Sequence, residues 1–186
     1  MSILPIINTD RLILRKFEKD DSYYMFVNWG NDEECCKYTN MQISENENIC
    51  ENCINTWEKY YDKGLFMWAV CLKDNNEPIG MIGFELSEKP EISFTISIKH
   101  NNHGYATEAL YAVLQYGAKN LEVRGFWGYH FIENYGAGKV MQKAGMIYKG
   151  SGIKFNKYFS KDMNILLSEH NRNHIILYGR RNKLWI

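Results

Sequence analysis

The chain has no excess of either charge. Its 22 Lys and Arg balance 22 Asp and Glu, so global electrostatics draws it to neither nucleic acid nor an anionic membrane. It has no apolar run long enough to span a bilayer, and Met1-Ser2-Ile3-Leu4-Pro5 lacks the charged start and extended apolar segment of a secretion signal. The expected compartment is therefore the cytoplasm, with no membrane or nucleic-acid partner. The five cysteines (Cys35, Cys36, Cys50, Cys53, Cys71) are odd in number, which makes reduced thiols the default. Cys50-x-x-Cys53 has the spacing of a metal or redox pair, but no second Cys or His pair stands at suitable spacing, and no metal is expected. What remains is one well-filled α/β domain over residues 1–186, with 45 % hydrophobic residues.

The most informative stretch runs from Glu91 to Gly145. Glu91-Ile92-Ser93-Phe94-Thr95-Ile96-Ser97-Ile98 alternates apolar and polar residues and predicts a strand. His100 to Leu110 then passes from a polar turn into a helix. The first N–H groups of a helix have no internal partner, and the helix dipole adds partial positive charge there, so the junction suits a pyrophosphate. Gly104 and Ala106 lack bulk and would let a phosphate approach the backbone. A Walker loop is excluded, because no Lys-Ser/Thr follows the last Gly. The dinucleotide fingerprint is excluded too, because only Gly104 of its three glycines is present.

Asn101-x-x-Gly104-x-Ala106 resembles the Arg/Gln-x-x-Gly-x-Gly/Ala loop of the GNAT acyl-CoA-dependent N-acyltransferases. Gly-Tyr-Ala-Thr-Glu-Ala at 104–109 is similar to their RimJ/RimL-like branch, which acetylates protein N-termini and small amines. Two distant stretches agree with it. Thr9-Asp10-Arg11-Leu12-Ile13-Leu14-Arg15 resembles the usual beginning of that branch, and Asn134 to Met146 resembles its Asn-x-x-Ser-x-x-Val-x-x-Lys-x-Gly-Phe segment.

Along the chain, 9–17 predicts a first strand, and Asp20 or Asp21 a helix N-cap before Tyr24, Met25, Val27 and Asn28 to Trp29. Glu45 to Tyr61 reads as a second helix, with Ile49, Cys53, Trp57 and Tyr60 on one stripe and Gly64 as its stop. Phe66–Leu72, Pro78–Phe84 and the Glu91 strand form an antiparallel meander through polar turns. Thr107 to Asn120 predicts an amphipathic helix with Ala109, Leu110, Val113, Leu114 and Gly117 facing the sheet. Val123–Phe131 follows as a strand reached through a helix and so parallel to the Glu91 strand. Asn134 caps the next helix; 148–155 and 174–180 close the sheet, and the connector 160–173 carries a short helix over 164–168. The total is about seven strands in a mixed, mostly antiparallel sheet flanked by helices.

The resemblance implies that the parallel pair splays apart and that acetyl-CoA lies in the gap as cosubstrate. Its pantetheine arm would pair with the strand near Ile98 and meet Asn134, and its pyrophosphate would rest on Asn102, His103, Gly104, Tyr105, Ala106 and Thr107. Asn102 replaces a customary Gly and tolerates positive φ. His103 stands where relatives carry a fixed cation. Trp29, Tyr38 and Tyr61 are implied wall residues of the acceptor pocket. The acceptor would be an amine, either a small molecule or a protein N-terminus, and the chain a monomer or homodimer.

Acyl transfer to an amine needs a neutral amine and a protonated leaving thiolate. Candidate bases are Glu91, which matches the Glu of the family's Glu-Ile-Gly-Tyr strand opening, His130, and Glu85 at the end of the hairpin strand. Glu91 also reads as a solvated strand-start carboxylate and His130 as a hydrogen-bonded strand residue. The family's two usual proton donors are replaced by Ala137 and Met141, which leaves Tyr135, Tyr129 or water. These replacements keep a second reading open, a non-catalytic acyl-CoA- or partner-binding module on the same fold. A third is a nucleotide-binding protein of another fold.

Overall fold

The computed structural model describes residues 4–39 and 41–171. Five strands, β1 (Ile7–Asn8), β2 (Leu12–Arg15), β3 (Leu65–Leu72), β4 (Pro78–Glu85) and β5 (Ser93–Ile96), form one sheet in the order β1-β2-β3-β4-β5. Three more, β6 (Gly125–Phe131), β7 (Ile147–Asn156) and β8 (Lys161–Asn171), form a second in the order β6-β8-β7. The helices are α1 (Asp21–Met25), α2 (Glu33–Cys36), α3 (Glu47–Glu58), α4 (Tyr105–Asn120) and α5 (Tyr135–Lys143).

The meander β3-β4-β5 stands as expected. β3 and β4 are almost wholly buried, because α4 covers the larger sheet with Ala109, Leu110, Val113, Leu114 and Gly117, the face expected of it. Phe66 stacks on Phe84 at 5.0 Å, and Phe84 meets Phe126 of β6 edge-on at 5.0 Å, so aromatic packing ties the two sheets together.

The expected mixed sheet is not what forms. Every strand pairing among the described residues is antiparallel, and β5 and β6 share only one parallel bridge, Glu91 with Trp127. Ile92 N–H donates to the Trp127 carbonyl at 2.8 Å, and Trp127 N–H to the Pro90 carbonyl at 3.0 Å. Gly128, the next residue of β6, is closely packed: a Cβ there would stand 3.2 Å from buried Met141 and 3.3 Å from Ile92. β6 pairs instead with β8 along its whole length.

Other boundaries shift for local reasons. The first strand shortens to β2 because Arg15 turns inward to Asp21, at 2.6 and 2.9 Å. That pairing takes the Asp21 carboxylate out of capping, and Asp20, at the N-cap, makes no side-chain cap bond. After α1 the chain widens into one π-helical turn, Phe26–Gly30. In α3 it is Cys50 and Ile54 that face the core, while Ile49 and Tyr60 are exposed. Gly64, at φ +96°, ends the 3₁₀ turn that follows. The Glu91 strand stops at Ile96, and Ile98–His100 is a 3₁₀ turn. The connector expected to carry a helix is β8. Buried Met163 and Ile165 alternate with exposed Asp162 and Asn164, a period of two. The strand expected at 174–180 lies outside the described residues.

One polar cluster fastens the start of α4 to the β1–β2 hairpin. Glu108 accepts from the Thr9 hydroxyl at 2.6 Å, the Arg11 N–H at 2.9 Å and Arg11 Nε at 2.8 Å. Arg11 Nη1 donates to the His103 carbonyl at 2.9 Å, and the guanidinium lies 4.6 Å over the Tyr105 ring. Burial works to raise the Glu108 carboxyl, but the hydrogen bonds from Thr9 and Arg11 and the guanidinium charge outweigh it and hold it below the ordinary 4.5. A depressed carboxyl contributes stability that is complete above its unfolded value and is lost as pH falls through the folded one. Glu108→Gln is expected to lower the melting temperature at pH 7 by roughly 2–4 °C. The gap should close as pH falls below 4.5; an equal gap at strongly acid pH would remove the carboxylate from this role.

Candidate active site

Because β5 and β6 separate after a single bridge, a cleft opens between them. Its larger part is a cavity of about 390 Å³ between the loop before α4 and the face of α5. A smaller chamber of about 170 Å³ lies nearer the bridge, between Glu91–Thr95 on one side and Tyr129 and His130 on the other. Thr39, Phe94, Thr95, Asn134 and Ala137 line both, so the two are continuous.

The loop has the backbone an anion site requires. Asn102 adopts φ +65° and Gly104 φ +82°, and Gly104 is the N-cap of α4. The first bond of the helix runs from Glu108 N–H to the Gly104 carbonyl at 3.0 Å. The N–H groups of Tyr105, Ala106 and Thr107 therefore have no acceptor within the helix, and all three residues line the larger cavity. Arg11 grips the His103 carbonyl from outside. In a trans peptide this turns the Gly104 N–H to the opposite side, and Gly104 lines the cavity as well.

Asn102 and Ile98 also line the larger cavity. His103 does not: its ring stacks on Tyr105 at 5.7 Å, and its Nδ1 lies 2.9 Å from the Asn101 carbonyl. The neighbouring His100 does line it, and burial pushes that imidazole below its ordinary 6.5, so it is neutral at pH 7. Positive charge on the opposite wall comes from Lys139 and Lys143. The sequence reading passed over both, although their i, i+4 spacing puts them on one face of α5.

Asn134 caps α5 as expected, its Oδ1 accepting from Ala137 N–H at 3.2 Å. That leaves its Nδ2 as a donor where the cavities meet. Glu91 lines the smaller chamber and is its one carboxylate, with Lys154 Nζ 3.6 Å away. His130 lines the chamber too. It is buried, its Nδ1 lies 2.9 Å from the Phe131 carbonyl, and its Nε2 faces Gly138, where a Cβ would come within 2.6 Å. A ring nitrogen beside a carbonyl must carry the proton, which leaves Nε2 as the acceptor in the neutral ring. Tyr135 is not brought to the site. It is 70 % exposed at the first position of α5 and lines neither cavity, because capping by Asn134 turns it outward. Tyr129 does line the chamber.

Of the expected wall residues only Tyr38 faces the chamber. Trp29 is wholly buried in the core, and Tyr61 is buried and donates to the Met67 carbonyl at 3.0 Å. The cysteines are free thiols; burial pushes Cys35 and Cys36 up to about 11 and Cys71 to about 12, so they are protonated at neutral pH. Among the described residues no group of three or more His, Cys, Asp or Glu could hold a metal ion, and no helix is long and apolar enough to cross a membrane.

The comparisons agree with this geometry. Residues 11–147 match the family model of the acetyltransferase (GNAT) domain. An uncharacterized N-acetyltransferase of Bacillus subtilis, YoaA, is 30 % identical over 153 residues, 80 % of this chain and 86 % of its own. A solved GNAT-family acetyltransferase from Bacillus anthracis superposes with a TM-score of 0.80 at 26 % identity, over 91 % of this chain and 99 % of that one. RimL, a ribosomal L7/L12 α-N-protein acetyltransferase solved with coenzyme A, shares the fold, with a TM-score of 0.74 at 14 % identity over 88 % and 97 % of the two chains. The chain belongs to the GNAT acetyltransferases, in their RimJ/RimL-type branch, and is an N-acetyltransferase of that family.

Proposed function

We propose that the protein transfers an acetyl group from acetyl-CoA to a primary amine by direct attack on the thioester. One observation carries this reading: a cavity with helix N–H groups and lysines at one end runs into a chamber holding a carboxylate at the other. The residues fit the cosubstrate. The amides of 104–107 meet its pyrophosphate, with Asn102 shaping the turn before them, and Lys139 and Lys143 add charge from the opposite wall. Ile98 and the edge of β5 that faces away from β4 offer backbone groups to the pantetheine arm, and Asn134 Nδ2 donates to it. Relatives that bind CoA, RimL among them, support the assignment.

Acetyl-CoA supplies an activated acyl group. In the reaction an N–C bond forms, the C–S bond breaks, and the acceptor nitrogen loses a proton. Glu91 takes that proton directly or through water. His130 Nε2 is held toward α5 and serves as a second acceptor only through the solvent of the chamber. Neither Ala137 nor Met141 has a proton to give the thiolate, so the donor is Tyr129 or water. Positioning between two walls supplies much of the acceleration. The acceptor is a small amine or a protein N-terminus; RimL's action on a ribosomal protein is a precedent for the latter.

Calorimetry with acetyl-CoA, against ATP and NAD, tests the first half of the proposal. Binding in roughly the micromolar range that disappears in Gly104→Trp is expected, and unchanged affinity in that variant would sink the loop assignment. Glu91→Gln should reduce kcat by about 10²- to 10⁴-fold and leave acetyl-CoA affinity alone; wild-type turnover across the pH range would remove Glu91 as the base. Arg11→Ala should raise KM for acetyl-CoA several-fold without moving KM for S-acetylpantetheine, which has no pyrophosphate. Equal losses with the two donors would show that Arg11 does more than aim the loop.

A further inference from the structure

An ammonium belonging to the chain stands against the wall of the acceptor chamber. Lys154, on β7, reaches back across β8 to place Nζ 3.8 Å from the centre of the Tyr129 ring and 3.6 Å from Glu91 Oε1. Both partners line the chamber. An aromatic face plus a carboxylate is the setting that a cationic ligand would seek, and here a lysine takes both. The pattern continues outward. Tyr38, which also lines the chamber, lies 6.2 Å from Phe131 and 6.2 Å from Phe159. Lys37 Nζ sits 5.2 Å over Tyr38, and Lys161 Nζ 5.5 Å over Phe159. Lys37 is in turn paired with Glu34. Three rings at this wall thus carry lysines from the chain itself, and Glu91, the chamber's one carboxylate, is already countered.

Apart from Glu91, no other carboxylate lines the chamber among the described residues: Met41, Met81, Ile92, Phe94 and Met141 are apolar, and Thr39, Ser93, Thr95 and Asn134 are uncharged. An entering amine can displace or share Lys154's place at Glu91 once. A second positive charge on the same acceptor finds no further carboxylate among the described residues that line the chamber, and the lysines against the lining rings repel it. Resting on the acetyl-transfer reading above, we infer that the acceptor is a monoamine, a single ammonium on an uncharged body, and that Lys154 is the residue that sets this preference against polyamines. Lys154 acts here as a specificity determinant through Glu91 and Tyr129; the proton path does not use it.

The test compares phenethylamine with spermidine as acceptors for the purified full-length chain and for Lys154→Glu, Lys154→Gln and Lys154→Arg. In the wild type kcat/KM should favour the monoamine by about tenfold or more. Lys154→Glu should raise the spermidine value and narrow or invert the ratio, Lys154→Gln should do so partly, and Lys154→Arg should keep it. A purely structural lysine would lower both values together. Acetyl-CoA affinity and melting temperature report whether each variant is folded. Calorimetry of the two amines on the CoA-bound protein reads the same preference without turnover, so failure of the transferase reading is separable from failure of this one. Spermidine matched to phenethylamine in the wild type, or a ratio unmoved by Lys154→Glu, would overturn the inference.

Discussion

Two backbone hydrogen bonds, Ile92 to Trp127 and Trp127 to Pro90, are where the two sheets meet edge to edge, and the architecture of the site depends on how little they join. Had β5 and β6 continued to pair, the cleft would have been zipped shut by its own ladder. Beyond the bridge no further β5–β6 pair forms among the described residues, and β6 pairs along its other edge with β8. The cost of an unpaired strand edge is met by placing it against a cavity that a ligand with its own amides can fill.

Around this gap, the two ends are prepared by different physics. At the loop end the work is done by backbone: two residues at positive φ, a helix start without internal acceptors, and a guanidinium that fixes one carbonyl from behind. Charge there comes from Lys139 and Lys143 across the cavity, while burial pushes the neighbouring His100 imidazole below its ordinary 6.5. At the chamber end side chains dominate, and the one carboxylate is balanced by Lys154. Met141 is buried and lines the chamber, and its thioether has no proton to give.

The Arg11–Glu108 cluster shows how a distant hairpin takes part in the loop's geometry. Thr9 and Arg11 stand 99 and 97 residues from Glu108 in sequence, yet both bond its carboxylate and support the first turn of α4. The Thr-Asp-Arg-Leu stretch, readable in the sequence as a resemblance and no more, thereby acquires a physical reason. Its arginine holds the outer side of the phosphate loop.

Local patterns were legible wherever one face of an element is buried against one neighbour. The apolar stripe of α4, the cap at Asn134, the positive φ at Asn102 and the β3–β4–β5 meander follow from periodicity and turn chemistry acting over a few residues. The period of two in 161–167 was there as well, masked by polar neighbours. Burial of Trp29, exposure of Tyr135 and the inward face of α3 depend on which element lies opposite, and spacing alone does not say. The same holds for the loss of the parallel pair and for Lys154 at Glu91, since both require strands distant in sequence to meet at a particular register. Sequence by itself determined most of the elements, the turn geometry of the loop before α4 and the family, because these are written in contiguous residues. Only the tertiary structure decided where the strands part, what fills the gap and which charge stands beside the carboxylate, because those are energies of contact between segments that the chain order does not bring together.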